Sequence, residues 1–167
     1  TMEDLHDMPQ QLYEGKITKL REKTQGQLVI KEYPTASAHS GHFKSLMNEL
    51  ALKKSFRPDV IFIDYLNICA SSRFKGGNIS SYFYVKAIAE ELRGLAVEFN
   101  VPIFSATQTT RTGYVSTDIG LEDTSESFGL PATADFMFAL ISNEELEALG
   151  QMKVKQLKNR YNDPTIN

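Results

Sequence analysis

The sequence feature that most constrains the fold is a short apolar run, Val60–Ile63, that ends directly on Asp64. A strand made only of apolar residues is typical of a parallel sheet covered on both faces. Similar runs occur in VPIFSATQ and ADFMFALI, and QMKVKQLKNR has the alternation of a final strand. A shorter strand is predicted in QLVIKEY, residues 27–33.

Between these strands, apolar residues recur at helical spacing. The clearest helix is predicted in SSYFYVKAIAEELRGLAVEFN, whose apolar stripe comprises Ile88, Leu92, Leu95 and Phe99. SGHFKSLMNELALKK predicts a second helix with Ser40 as its N-cap, and PQQLYEGKITKLREK predicts a surface helix. Alternating strands and helices predict an α/β fold, with a mainly parallel sheet between helices, as one domain over residues 1–167.

Composition limits the functions that this domain can have. Apolar residues make up 41% of the chain and charged residues 23%, the balance of a soluble globular domain. The net charge of -3 gives no bulk attraction to nucleic acid, so such binding would need local basic loops. The single cysteine, Cys69, excludes an internal disulfide, and we expect it to be buried and unreactive. His6, His39 and His42 lack metal-ligand spacing and are interpreted as surface residues.

Polar residues follow the apolar strands at the point where ligands bind in open parallel sheets. They are Asp64, the pair Thr107–Gln108, and the run Lys158–Arg160. An acid after a strand is how many nucleotide hydrolases hold Mg²⁺. Asp64 alone is also compatible with a helix N-cap or with a carboxylate that simply faces solvent.

Four segments in order make the interpretation more specific: DVIFIDYLNIC, YVKAIAEELRGLAVEFNVPIFSATQTTR, ESFGLPATADFMFAL and KQLKNRYNDP. Together they resemble the RecA-like motor domain of replicative DNA helicases of the DnaB-like family, in particular the T-even phage type. The resemblance covers essentially the whole chain. It implies a three-layer α/β/α domain, part of a P-loop NTPase.

The resemblance also implies roles for particular residues. Asp64 matches the Walker B aspartate that holds Mg²⁺, and Tyr65 beside it is assigned to the nucleotide site. Gln108 matches the residue that senses the γ-phosphate. Arg160 matches the arginine finger that reaches the nucleotide of a neighbouring subunit, and Lys158, on the same strand face, matches the lysine that accompanies it.

Two loops resemble the family's DNA-binding loops. Arg73 and Lys75 lie in the first, and Arg111 begins the second. Basic side chains there can hold phosphates without reading bases, which suits a motor that travels along any sequence. The alternative for both loops is an ordinary flexible surface segment.

One departure from the family pattern matters most. The sequence contains no G-x-x-x-x-G-K-[ST] phosphate-binding loop, and the strand with the catalytic glutamate is missing as well. The termini, TMEDLHDM and RYNDPTIN, resemble cut edges, so we expect a fragment that is inactive in isolation. A smaller departure is Asn162, where many relatives have glycine.

By resemblance, the intact protein uses ATP and Mg²⁺ and translocates on single-stranded DNA as a hexameric ring. Its implied partners are a primase and a helicase loader, in the cytoplasm of a phage-infected bacterium, with no membrane association. The main alternative is a non-catalytic RecA-like module that acts as a single-strand-binding recombination mediator or as a helicase loader. A RecA-type repair ATPase is a weaker third reading, because the KNR strand favours the helicase branch.

Overall fold

The computed structural model describes residues 2–74, 79–109, 120–121 and 129–161. The chain forms two compact units, Thr1–Glu32 and Tyr33–Asn167. Within the described ranges, every helix is too short or too polar to cross a membrane.

The first unit contains two helices, α1 (Met2–His6) and α2 (Gln10–Lys23). None of the residues of α2 is buried, so it is the surface helix that its composition predicts. The strand predicted at residues 27–33 is wrong, because this segment has no regular secondary structure. Leu28 and Ile30 are more than four-fifths exposed, and no described strand pairs with them, so their β propensity does not produce a strand.

The second unit contains four helices in its described residues, as well as a short 3₁₀ helix. The α-helices are α3 (Ser40–Lys54), α4 (Ser81–Phe99), α5 (Gly129–Thr133) and α6 (Glu144–Ala148), and the 3₁₀ helix is Leu66–Ile68.

The start of α3 differs from the prediction. His39, not Ser40, is the N-cap: its side chain accepts a hydrogen bond from the backbone of Gly41, and the His42 side chain accepts one from the backbone of His39. These bonds satisfy N–H groups that have no partner in the first turn of a helix. The Ser40 hydroxyl is therefore available for a distant contact.

The predicted apolar stripe of α4 is confirmed at three of its four positions, whereas Phe99, at the end of the helix, is only half-buried. Ile88, Leu92 and Leu95 are all buried. The helix ends at Asn100, which adopts the left-handed conformation (φ 53°) and closes the last turn with its backbone N–H. Pro102 follows, just before the next strand.

In the described residues, four strands form two pairs. Strand β1 (Ile61–Ile63) pairs in parallel with β2 (Ile103–Ser105), with Phe62 opposite Phe104. Strand β3 (Phe136–Ile141) pairs antiparallel with β4 (Lys153–Asn159), with an irregularity in register after Met137. The antiparallel pair departs from the parallel pattern expected along the chain. Its connection, residues 142–152, is shorter than a parallel crossover requires.

One face of the β1–β2 pair contributes to the main core. The largest buried cluster includes Val85, Ile88 and Leu92 from α4 together with Leu66 and Leu130, and Ile63 packs against it. On the other face, the rings of Phe62 and Phe104 stack with centroids 5.3 Å apart, and Phe62 is 73% exposed. The expectation that this strand is covered on both faces is therefore not met within the described ranges.

Candidate functional site

The ends of β1 and β2 bring together the first group of predicted site residues. Because the two strands are parallel and in register, their carboxyl ends meet at the same edge. Asp64 follows β1 directly and is exposed, while Gln108 lies just beyond β2. The peptide bond between Asp64 and Tyr65 is cis.

Side chains connect the segments that leave these two strands. Gln108 Nε2 donates to the Tyr65 hydroxyl at 3.3 Å, and the Thr107 hydroxyl donates to Asn67 Oδ1 at 2.8 Å. The backbone N–H of Leu66 donates to the carbonyl of Ala106 at 3.2 Å. These bonds connect Gln108 to Tyr65, the residue next to Asp64.

The chemistry of these side chains fits the metal side of a nucleotide site. Asp64 offers exposed carboxylate oxygens, and the neighbouring Asn67 and Thr107 offer an amide oxygen and a hydroxyl. Mg²⁺ prefers such hard oxygen ligands and binds through few carboxylates. The described residues contain no group of three or more His, Cys, Asp or Glu side chains placed to hold a metal by themselves. The strand ends therefore fit Mg²⁺ held jointly with substrate phosphates, and not a closed protein site.

Lys158 and Arg160 lie together at the C-terminal end of α5. Lys158 Nζ donates to the carbonyl of Pro131, and Arg160 Nη2 donates to the carbonyl of Ala132 at 3.1 Å. Arg93, from α4, donates to the next carbonyl, that of Thr133, at 2.6 Å. The last carbonyls of a helix have no partner within the helix, and cations there also interact favourably with the helix dipole.

Asp135 is the acid in this basic cluster. One of its oxygens, Oδ1, lies 2.8 Å from Arg93 Nη1 and 2.9 Å from Arg160 Nη1. Burial lowers the pKa of Lys158 below its usual value, the positive charges of Arg160 and Arg93 lower it further, and Asp135 acts in the opposite direction. We call Arg93, Asp135, Lys158 and Arg160 the basic cluster.

The basic cluster is separate from the strand-end group. In the part of the chain that the structure describes, Lys158 and Arg160 make no hydrogen bond or ion pair with Asp64, Tyr65 or Gln108. Two sets of predicted site residues are thus present, and each has its own surroundings.

Of the predicted DNA-binding residues, the structure describes only Arg73. Its guanidinium Nη1 lies 2.5 Å from Glu90 Oε2 on α4, and its side chain is 51% exposed. Lys75 and Arg111, like Asn162 after the predicted finger, lie outside the described residues.

Sequence reasoning missed Glu91. Its carboxylate accepts hydrogen bonds from the hydroxyls of Ser40 (2.8 Å), Ser71 (2.6 Å) and Ser72 (2.7 Å). It also accepts from the backbone N–H of Ser72 at 3.0 Å and that of Arg73 at 3.4 Å. Burial raises the pKa of Glu91, but these hydrogen bonds outweigh it and bring the pKa down to about 2.

A weak signal for Glu91 was present in the sequence. It stands three residues after the buried Ile88 and directly before the buried Leu92, and so borders the apolar face of α4. Its hydrogen-bond partners are 18 to 51 residues away along the chain, and helical periodicity cannot identify them.

Cys69 confirms its interpretation as a packing residue. It is buried and free of any disulfide, and burial raises the pKa of its thiol, which disfavours the nucleophilic thiolate.

One curated protein is similar to this chain in sequence. Over 152 residues, the chain is 51% identical to a DnaB-like replicative helicase of Enterobacteria phage T4; the match covers 90% of this chain and 32% of that protein. The chain therefore spans about a third of the length of its curated relative. No family model matches.

Two solved structures show the same fold. An ATPase domain matches with a TM-score of 0.73 and 17% identity, over 95% of this chain and 56% of the other. A DnaB-like replicative helicase, described with its interactions with primase, matches with a TM-score of 0.71 and 18% identity, over 93% of this chain and 37% of the other. The predicted resemblance and the predicted RecA-like fold are both confirmed.

Proposed function

We propose that this chain, a relative of the phage T4 DnaB-like helicase with a RecA-like ATPase fold, is part of the motor domain of an ATP-driven replicative DNA helicase. The observation that carries the proposal is the 51% identity over nine-tenths of the chain. The whole protein would translocate on single-stranded DNA and unwind duplex at the replication fork.

In this proposal, the strand ends form the metal side of the nucleotide site. Asp64 would hold Mg²⁺ through its exposed carboxylate, and Tyr65 would lie beside the nucleotide. Bound Mg²⁺ neutralises charge on the phosphates of ATP. Gln108 would respond to the γ-phosphate, and its hydrogen bond to Tyr65 supports a coupling between the two strand ends.

The basic cluster would act on the nucleotide of a neighbouring subunit. Arg160 and Lys158 are held at the end of α5 with no contact to Asp64 of their own chain, which is the arrangement that a finger acting on another subunit requires. Their positive charge would stabilise the charge that develops during phosphoryl transfer. The proposed assembly is a hexameric ring, and a primase and a helicase loader are its proposed partners.

Arg73, Lys75 and Arg111 are proposed to contact the DNA backbone. Arg73 is half exposed, so its guanidinium is accessible to a phosphate. Contacts to phosphate fix the position of the strand without reading its sequence.

The first test replaces Arg160 by alanine in the full-length protein. DNA-stimulated ATPase activity should fall about a thousandfold or more, the scale of an arginine finger in related phosphoryl-transfer enzymes. ATP binding should change little. Lys153→Ala, at the exposed start of the same strand, is the matched control and should keep normal activity. Activity that survived Arg160→Ala would contradict the finger assignment.

Mixed oligomers test whether Arg160 acts on another subunit. Arg160→Ala and Asp64→Ala subunits should each be inactive alone. Mixed together, they should recover part of the activity, because some interfaces then combine an intact Asp64 with a neighbour's intact Arg160. A finger acting within its own chain predicts no recovery. The alternative, a non-catalytic RecA-like module, predicts no turnover in the unmodified protein.

A further inference from the structure

A shallow groove lies beside Arg73, along α4. The residues that line it are Arg73, Phe74, Phe83, Lys86, Ala87 and Glu90. Neither Lys86 nor Phe83 was a predicted site residue. The groove joins two cations and two aromatic rings around a single acid, and Phe83 is 59% exposed.

The Glu90 carboxylate lies between the two cations. Its Oε2 is 2.5 Å from Arg73 Nη1, and its Oε1 is 3.9 Å from Lys86 Nζ. Each carboxylate oxygen thus marks a position where an anionic oxygen meets positive charge. A phosphate group presents several such oxygens and carries at least the same charge.

These ion pairs are exchangeable. The three side chains are 37% to 51% exposed, and ion pairs at such positions contribute little to stability. An external anion can therefore replace Glu90 at small cost. The pair with Lys86 lies at the long limit of an ion pair and is the weaker of the two.

The backbone that carries Arg73 is held far more firmly than its side chain. Glu91, the neighbour of Glu90, accepts hydrogen bonds from the backbone N–H groups of Ser72 and Arg73 and from the hydroxyls of Ser71 and Ser72. Adjacent glutamates thus have different tasks: one fixes the position of Arg73, and the other holds only its charged tip. Glu91 is a positioning residue for the groove.

We propose that Arg73 and Lys86 form a subsite for a backbone phosphate of single-stranded DNA, and that Glu90 occupies this subsite when DNA is absent. The proposal rests on the proposed function and deepens it, because it adds Lys86 as a DNA contact and Glu90 as an internal competitor. Cations next to exposed aromatic rings are the combination that proteins use to hold single strands without sequence preference. Phe83 and Phe74 give the groove apolar walls for a sugar or base.

The test compares DNA affinity among charge variants of the full-length protein. Binding of a fluorescent single-stranded oligonucleotide is measured by anisotropy at several salt concentrations. Glu90→Gln should tighten binding roughly two- to fivefold, because both cations lose their competitor. Lys86→Ala should weaken binding about three- to tenfold and reduce the slope of log K against log salt by about one.

Glu98→Gln is the matched control. Glu98 lies on the same helix, about two turns beyond Glu90. It pairs with Lys44 at 2.5 Å and has a similar exposure of 49%. Its replacement removes the same charge outside the groove, so any effect of net charge alone appears in this variant. Glu90→Gln should tighten DNA binding more than Glu98→Gln does.

Glu91→Gln tests the positioning role. It should weaken DNA binding about as much as Arg73→Ala, and adding Arg73→Ala to it should cause little further loss. A merely structural role predicts independent effects for the two substitutions.

Three results would overturn the subsite. In the first, Glu90→Gln changes DNA affinity no more than Glu98→Gln does. In the second, Lys86→Ala binds DNA with normal affinity. In the third, millimolar inorganic phosphate binds the groove, but neither substitution changes DNA affinity. If these occur while Arg73→Ala still weakens DNA binding, the proposed function stands and only the subsite fails. If Arg73→Ala also has no effect, the proposed DNA contact of this loop fails with it.

Discussion

Two carboxylates each join distant parts of the chain, but they do so with opposite kinds of partner. Glu91 is surrounded by neutral donors, the hydroxyl and backbone N–H groups of residues 71–73 and the Ser40 hydroxyl. Asp135 is bound by the guanidinium groups of Arg93 and Arg160. Glu91 is the charged group among neutral hydrogen-bond donors, whereas at Asp135 the positive charges outnumber the single negative charge.

This difference gives the two carboxylates different roles. Glu91 fixes the positions of the segments that it joins, and we call it the anchor, whereas Asp135 leaves positive charge on Arg160 that an external anion can contact. The pKa of Glu91 is about 2, so its carboxylate stays charged and keeps its hydrogen bonds at any physiological pH. At Asp135, one acid faces Arg93, Arg160 and the nearby Lys158, and the Arg160 side chain is 40% exposed. Excess positive charge near the surface can be redirected to an external anion at low cost. The second arrangement suits a finger, and the first suits an anchor.

The largest expected effect is on the anchor. Glu91→Ala should lower the free energy of unfolding by about 2 kcal/mol, because it leaves several donors around a partly buried position without their charged acceptor. The control is Glu98→Ala, an exposed ion-pair residue, which should change it by less than about 1 kcal/mol. Urea unfolding followed by circular dichroism measures both. Equal effects would remove the distinction between anchor and surface charge.

The same anchor predicts how stability depends on pH. Since the pKa of Glu91 is about 2 in the folded chain and 4.5 as the ordinary value, the unfolded chain binds more protons between these limits. The contribution of Glu91 is therefore fully present above about pH 4.5 and is lost as the pH falls towards 2. Unfolding curves at several pH values should show a smaller loss across this window in Glu91→Gln.

A smaller effect is expected at Asp135. Asp135→Asn should reduce the free energy of unfolding by about 1 kcal/mol, since its ion pairs are partly exposed and screened by water. Asp59→Asn, at an exposed position, is the control and should have almost no effect. If Asp135→Asn lowered the free energy of unfolding as much as Glu91→Ala, Asp135 would hold the fold together as firmly as Glu91 does.

The smallest effect is electrostatic. Arg160→Ala should raise the pKa of Lys158 towards its usual value, because one of the positive charges that lower it is removed; its burial remains. An NMR titration of the lysine Nζ resonances measures this shift, with Lys153→Ala as the control. An unchanged pKa would show that Arg160 and Lys158 do not act on the same site.

Several elements were predictable because their signals are local. The stripe of Ile88, Leu92 and Leu95 specifies α4, since helical periodicity depends only on residues a few positions apart. The apolar run before Asp64 likewise predicted β1 and the position of that acid. The prediction of a strand at residues 27–33 was wrong for the converse reason: β propensity produces a strand only where the fold supplies a pairing strand, and no described strand pairs with this segment.

The positions of the predicted site residues along the strands followed from the sequence, but their contacts did not. Asp64 and Gln108 were each predicted to follow a strand, and the structure shows that these two strands pair. The capping of α3 by His39 and His42 was not foreseen, and neither was the contact of the Ser40 hydroxyl with Glu91.

By itself, the sequence determined the order of β1 to β4, the helix α4 between the first two, the acid after β1, the basic residues at the end of β4 and the family that this pattern resembles. Only the tertiary structure decided which group each charge contacts. Glu91 accepts hydrogen bonds from distant residues, Glu90 forms an ion pair with Arg73, and Asp135 lies between two arginines. The physical reason is the separation along the chain over which each kind of interaction acts. Secondary structure is specified by neighbouring residues, whereas the partner of a charge is whichever group the folded backbone brings within a few ångströms, at any distance along the chain.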